Sequence, residues 1–319
     1  MTETVSEAQS ADAVLMVRPV RFASNPQTEE SNAFQRRPDL DPDTAQEIAT
    51  REFDGLVAAL TDAGVDVCVF DDTEEPETPD SVFPNNWVTF HADGTVVLYP
   101  MLAVNRRTER REDIIADLST KYDYRITQTI DLTGHEQDHR FLEGTGSVVL
   151  DRVNRIAYAC VSPRTDLDAL GDFSQRLDYD LVVFEATDSN GVAIYHTNVM
   201  MCLGTAFAVI CLESIRDEAQ CAAVQCTLER TGHEIVATTL EQMEQFAGNM
   251  LELRNRTGET LIAMSARAFG SLTPEQRATL ERYGRIVSAP IENIEDHGGG
   301  SVRCMLAEIH LPKKGSKPE

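Results

Sequence analysis

Trp87-Val88-Thr89-Phe90-His91-Ala92-Asp93-Gly94-Thr95-Val96-Val97-Leu98-Tyr99 reads as two short strands, 87–90 and 95–99, joined by a polar connection, and an amphipathic stretch at 107–121 follows. The strand halves carry β-branched and aromatic residues and the connection carries turn formers, as a hairpin requires. The apolar periodicity of 107–121 predicts a helix. The same order then returns. Strands at 147–151 and 156–160, joined by residues 152–155, precede a helix at 166–177 and a strand at 180–185. A further hairpin, 194–196 with 207–211, precedes a helix at 218–231. Upstream, strands at 14–17 and 65–70 flank a helix at 43–63; downstream, helices are expected at 239–250 and 273–283. Thr273-Pro274-Glu275-Gln276 and Asp43-Thr44-Ala45-Gln46 supply capping boxes for two of them. A unit of two strands, a helix and a strand that recurs roughly every 50 to 70 residues predicts an α/β fold of repeated ββαβ modules arranged about an axis.

The chain has 319 residues, with 53 Asp+Glu against 28 Lys+Arg and a formal net charge of -25. So acidic a surface would be repelled by nucleic acid unless it held a basic stripe, and none is evident. Only Lys121, Lys313, Lys314 and Lys317 are lysines, which fits either a salt-tolerant surface or a genome that avoids lysine codons. With 42% hydrophobic and 25% charged residues the composition is that of an ordinary folded protein. No apolar run approaches the roughly 18 residues of a membrane span, and residues 1–12 are polar and acidic where a signal peptide would be basic and then apolar. The expectation is a cytoplasmic protein without membrane contact. One domain over 14–312 is expected, with a flexible acidic start at 1–13 and a flexible tail at 313–319. Seven cysteines, an odd number without a secretion signal, point to reduced thiols, one of them a candidate nucleophile.

Five separated stretches are candidates for chemistry. His135-Glu136-Gln137-Asp138-His139 satisfies a zinc pattern that needs a helix to bring both imidazoles onto one face. Here the flanks read as strands, so a solvated loop is the better account. His297-Gly298-Gly299-Gly300-Ser301 lacks the G-x-S-x-G elbow of esterases, but its glycines can present the nearby Cys304 at the edge of a strand expected at 305–311. A cysteine so placed is either a nucleophile or a buried structural thiol. His196, in Tyr195-His196-Thr197-Asn198, offers a proton shuttle or a packed core histidine. Glu143, in Leu142-Glu143-Gly144-Thr145-Gly146, stands at a glycine turn from which a carboxylate could orient an imidazole. Phe83-Pro84-Asn85-Asn86-Trp87 is a turn feeding a strand.

Together and in this order these pieces resemble the amidinotransferase and arginine-deiminase superfamily, the pentein fold, and within it the citrulline-utilisation hydrolases of the CtlX type. The resemblance spans about residues 15 to 312. It rests on Val17-Arg18-Pro19-Val20-Arg21-Phe22, Phe83-Pro84-Asn85-Asn86, Pro100-Met101 leading to Arg106-Arg107, Glu143-Gly144-Thr145-Gly146-Ser147, Ser162-Pro163-Arg164-Thr165, His196-Thr197-Asn198 and Gly298-Gly299-Gly300-Ser301-Val302-Arg303-Cys304. It implies a pentein-type α/β propeller of five pseudo-symmetric ββαβ modules around a central channel. It also implies Cys304 as nucleophile, His196 as general acid and base, and Glu143 as the carboxylate that orients His196. Arg106 and Arg164 fall where related deiminases hold the substrate's α-carboxylate, and Asn25 is placed near the channel. No metal and no organic cofactor is implied, and the partner is a small amino-acid substrate, with a homodimer or larger homo-oligomer expected.

The departure from the deiminase pattern is informative. Deiminases carry aspartates at the positions of Asn86 and Asn198, where two carboxylates pair with a cationic guanidinium. An amide offers a carbonyl acceptor and N–H donors, which suit a neutral ureido group. The reading is therefore hydrolysis of citrulline to ornithine, ammonia and carbon dioxide through a covalent cysteine adduct. An arginine dihydrolase or deiminase and an amidinotransferase remain the alternatives within the fold. A catalytically silent amino-acid-binding or interaction protein is the alternative outside it.

Overall fold

The structure is a computed structural model that describes residues 7–36 and 38–315. Its strands are β1 (Ala13–Arg18), β2 (Asp66–Asp71), β3 (Val88–Phe90), β4 (Thr95–Leu98), β5 (Gln128–Asp131), β6 (Val149–Asp151), β7 (Ile156–Cys160), β8 (Asp180–Phe184), β9 (Met201–Leu203), β10 (Phe207–Ile210), β11 (Glu234–Ala237), β12 (Leu251–Arg254), β13 (Thr260–Ser265), β14 (Arg285–Ala289) and β15 (Ala307–Ile309). They form five three-stranded sheets: β3-β4-β5, β6-β7-β8, β9-β10-β11, β12-β13-β14 and β15-β1-β2. In each, the first pair is antiparallel and the second parallel. A hairpin suffices for the first pair, whereas a parallel pair needs a crossover, which a helix supplies. The expected ββαβ unit is thus present five times. The fifth copy is assembled from both ends of the chain, because β15 pairs with β1.

The crossover helices follow from local sequence. The helix Pro42–Asp62 opens on proline, its Asp41 cap accepts the Thr44 N–H at 3.0 Å, and Ala45, Ala49, Phe53, Leu56 and Leu60 line its buried face. Thr273 and Gln276 make the full capping box of the helix Pro274–Glu281. The expected helix at 107–121 is instead a 3-10 segment, Val104–Glu109, followed by the α-helix Glu112–Thr120. In 3-10 geometry residues three apart eclipse, which brings buried Arg106 onto Glu109. The helix expected at 239–250 stops after Leu240–Glu244, since Phe246 takes a left-handed backbone at φ 61°. The hairpin expected at 194–196 and 207–211 starts later: β9 (Met201–Leu203) pairs with β10, and a helical turn, Thr197–Met200, precedes it. The strands β11 to β14 carried no expectation.

The start of the chain also differs from expectation. Residues 1–6 lie outside the described residues, but Glu7 to Asp12 do not behave as a flexible lead. Glu7 is buried, its carboxylate 2.8 Å from Arg152 and 3.4 Å from Arg155, with the Ala92 N–H at 3.2 Å. Burial would raise its pKa, but Arg152 and the His91 hydrogen bond hold it well below the usual carboxylate range. Gln9 donates to the carbonyls of Leu150 and Leu203, Ser10 donates to Glu252, and Ala11 bridges to Leu253. The segment therefore stitches together four of the sheets. At the other end, the Lys314 N–H donates to the Asp123 carbonyl at 2.7 Å, so the expected tail at 313–319 begins as bonded chain; residues 316–319 lie outside the described residues. No helix among the described residues is long and apolar enough to cross a membrane.

Removing one partner of a buried ion pair strands the other. Glu7→Ala should therefore lower the unfolding free energy by about 3 kcal/mol. Denaturant titration against wild type checks this, and an unchanged midpoint would show that residues 7–12 do not lock the sheets.

Candidate active site

A short turn precedes the first strand of each sheet: Pro84–Asn86, Gly144–Ser147, Thr197–Met200, the Gly248-Asn249-Met250 turn and Val302–Met305. These turns pack on one another. Because the modules repeat, their turns carry polar residues to one place, delivering Asn86, Glu143, His196, Asn198, Asn249 and Cys304, all buried. Cys304 lies within the turn Val302–Met305, one element earlier than the strand edge expected at 305–311, and the strand itself is only β15.

Glu143 and His196 are a pair. His196 Nε2 lies 2.9 Å from Glu143 Oε2, both side chains are almost fully buried, and the Leu102 N–H donates to Glu143 Oε1 at 3.0 Å. Burial would raise the Glu143 pKa, but the Arg164 guanidinium, the His196 hydrogen bond and Arg106 outweigh it and hold the carboxyl well below its usual range. An ionised carboxylate only accepts, so the proton sits on Nε2 and Nδ1 keeps its lone pair. Burial pushes His196 down to about 4, opposed by Glu143, while Arg164 and Arg106 push the same way as burial. The imidazole is therefore neutral near pH 7 and basic at Nδ1. Gly146 permits this arrangement: a Cβ there would fall 2.6 Å from both His196 Nδ1 and Asn86 Nδ2.

Cys304 Sγ accepts from Asn198 Nδ2 at 3.4 Å and from Asn249 Nδ2 at 3.3 Å. No hydrogen bond joins it to His196 among the described residues. Both line a single cavity with Asp80, Phe83, Asn86, Arg106, Arg164 and Gly300. The run of glycines shapes the rim next to the sulfur. Gly299 is left-handed at φ 64°, and a Cβ there would meet Asn32 Nδ2 at 2.5 Å. Its carbonyl accepts from the Tyr195 hydroxyl.

The two arginines are in the cavity wall but are not free forks. Arg106 is bidentate to Glu109, with Nε and Nη2 each at 2.9 Å, and its Nη1 donates to Asn86 Oδ1 at 2.9 Å. Arg164 donates to Ser31 Oγ at 2.8 Å and to the Thr28 carbonyl at 3.2 Å, and lies 3.5 Å from Glu143. Asn25 is buried beside them, its amide donating to Asp80 Oδ2 at 2.8 Å. Two residues of this site were not singled out in the sequence. Asp80 is buried in the wall with Oδ1 unpartnered, and burial raises its pKa against the pull of Arg106. Asn249 touches the sulfur. The only sequence signal for it is positional: Gly248-Asn249 stands before β12 as Thr197-Asn198 stands before β9.

The zinc pattern takes no part. Residues 133–138 form a 3-10 turn, His135 Nε2 pairs with Asp172 at 3.0 Å, and His139 turns left-handed at φ 56°. No cluster of three metal-binding side chains occurs among the described residues.

Residues 18–311 match the family described as N,N dimethylarginine dimethylhydrolase, eukaryotic. The chain belongs to that family. Membership places it in the pentein superfamily and makes it a hydrolase of carbon–nitrogen bonds. No curated protein sequence matches it. Among solved structures, the N-terminal domain of ArgZ, an arginine dihydrolase from the ornithine–ammonia cycle in cyanobacteria, superimposes with a TM-score of 0.71 at 19% identity, over 94% of this chain and 99% of that one. Unliganded AgrE gives 0.72 at 18% identity, over 95% of this chain and 40% of its own. A dimethylarginine dimethylaminohydrolase adduct with S-methyl-L-thiocitrulline gives 0.63 at 15% identity, over 94% and 100%. At these identities the likeness is one of fold, and it matches the five small ββ-containing sheets seen here.

The buried neutral imidazole has a stability consequence. The unfolded chain takes up the His196 proton near pH 6.5, whereas the folded chain resists it down to about 4. Stability is therefore lost as pH falls through that window, by up to about 3 kcal/mol from this residue. His196→Gln, which cannot titrate, should flatten the loss between pH 6.5 and 4 in denaturant titrations; an unaltered slope would show that the imidazole is not held neutral.

Proposed function

We propose that this family member hydrolyses the ureido group of citrulline, giving ornithine, ammonia and carbon dioxide, with Cys304 as nucleophile, His196 as general acid and base, and Glu143 orienting His196. One observation carries the choice of substrate. Arg106 donates to Asn86 Oδ1, and a cation can only be faced by the carbonyl end of an amide, so the Asn86 –NH2 is turned to the other side, next to His196. One of its N–H groups donates to Asn85 Oδ1 at 3.1 Å, and the other, left in the cavity wall, suits a urea oxygen and has no partner on a guanidinium, which carries donors only.

In this mechanism the Cys304 proton passes to His196, leaving a thiolate and an imidazolium paired with Glu143. The sulfur adds to the central carbon, and the oxyanion that develops is met by the Asn86 N–H. Collapse breaks a C–N bond, and the imidazolium gives its proton to the departing nitrogen. A thiocarbamate on Cys304 results. His196, again neutral, takes a proton from water as it attacks the adduct; the C–S bond then breaks, the imidazolium returns its proton to the sulfur, and the carbamic acid released decomposes to carbon dioxide and the second nitrogen's amine. Arg164, on the cavity wall, is the candidate for the substrate's α-carboxylate. Arg106, bound on three sides, acts chiefly by fixing Asn86. The five modules would ring the channel that leads to these groups.

A guanidino substrate, arginine or a methylated arginine, is the second reading. It is favoured by Asp80, whose unpartnered carboxylate oxygen in the wall would accept from a cation. The family description and the arginine dihydrolase relatives point the same way.

The test offers purified protein citrulline, arginine and dimethylarginine in turn and follows ornithine, citrulline and ammonia. Ornithine from citrulline is expected, with turnover abolished in Cys304→Ala. Citrulline accumulating from a guanidino compound, with no ornithine, would overturn the ureido reading. The variant Asn86→Asp should lower citrulline turnover by at least about a hundredfold, since a carboxylate facing the urea oxygen forfeits a hydrogen bond and adds repulsion. An unaltered substrate preference would remove the amide argument.

A further inference from the structure

The fourth module's turn supplies a group to which nothing above gives a role. Asn249 is fully buried, its Nδ2 lies 2.9 Å from the Asn198 carbonyl and 3.3 Å from Cys304 Sγ, and its Oδ1 has no partner. Asn198 mirrors it from the third module's turn, with Nδ2 at 3.4 Å from the same sulfur and Oδ1 likewise unpartnered. We propose that Asn249 is a catalytic residue that holds the Cys304 sulfur as a thiolate by donating to it, as one half of a neutral amide pair whose other half is Asn198.

The chemistry favours this role over simple packing. Both N–H groups of Asn249 are spent, one on the neighbouring turn's backbone and one on sulfur, so the turn fixes where the second points. Hydrogen bonds to the charged form of a group lower its pKa. Among the described residues no lysine or arginine hydrogen-bonds the sulfur; the cations of the site are committed to Glu109, Glu143, Asn86 and Ser31. Nor does His196 hydrogen-bond it among the described residues. The amide pair is thus the local means of stabilising negative sulfur. A pair of amides does so without adding charge to a cavity that already balances two arginines against buried carboxylates. A carboxylate at either place would repel the thiolate.

This inference rests on Cys304 being the nucleophile, and its test separates the two. The rate of Cys304 alkylation by iodoacetamide is followed against pH, with mass spectrometry of the Cys304 peptide distinguishing it from exposed Cys226. Loss of one donor to a charged group predicts that Asn249→Ala raises the apparent thiol pKa by about one unit or more and lowers kcat/KM about tenfold to a hundredfold, with KM little changed. Asn249→Asp, nearly isosteric, should raise the pKa further than Ala does, whereas a packing role would make Asp the milder change. Thermal melts confirm that the variants compared are folded, and Asn249→Ser, which keeps a donor, should recover part of the lost rate. An alkylation profile identical to wild type in both Asn249→Ala and Asn249→Asp overturns the assignment. Turnover that persists in Cys304→Ala would overturn the parent reading instead, while the alkylation profiles would still report on Asn249.

Discussion

The ionised carboxylate of Glu143, buried with no access to water, is what the rest of the site is arranged around. An unpaired charge in that position would cost several kcal/mol, so it must be surrounded by donors. Arg164, Arg106, the Leu102 N–H and His196 Nε2 all face it. Those groups bring demands of their own. Arg106 is satisfied by Glu109, which is why a 3-10 segment and not an α-helix occupies Val104–Glu109. Arg164 reaches residues 28–31, pulling that stretch over the cavity. The tautomer of His196, its neutrality, the direction of the Asn86 amide and the enclosure of the cavity all follow from compensating one carboxylate.

The sulfur sits at the other pole and is treated differently. Around Glu143 the protein spends charge; around Cys304 it spends neutral amides. This separation would suit the proposed reaction, in which the nucleophile enters at a planar carbon while protons are handled elsewhere. A charged partner for the thiolate would also compete with the arginines that hold Glu143. Repetition makes the division possible, since each ββαβ module contributes one turn. A side chain can be set at each of five positions with little change to the sheets behind it.

Much of this was legible in the sequence, and the limits are physical. Repeats were visible where a hairpin and an amphipathic helix adjoin, as at 147–177, because period-two and period-3.6 patterns are strong there. The strands β11 to β14 were missed because Glu234–Ala237 and Arg285–Ala289 are short, end-exposed third strands with one buried face, and Leu251–Arg254 follows a segment that mimics a helix. Cys304, His196 and Glu143 could be picked out because unusual turn chemistry brackets each. Asp80 and Asn249 could not: an acidic residue in an acidic chain and an amide after a glycine look like surface. Only the three-dimensional meeting of turns sets Asn249 against the sulfur. The acidic start of the chain was misread for a related reason. Its glutamate looks solvent-loving, and nothing local reveals that Arg152 waits for it.

The most direct test of the central claim is rapid-quench mass spectrometry of the protein mixed with citrulline labelled at the ureido carbon. The account predicts that the label appears transiently on the Cys304 peptide before ornithine accumulates and disappears as substrate is exhausted. Ornithine formed at the full rate without label ever reaching Cys304 would contradict it.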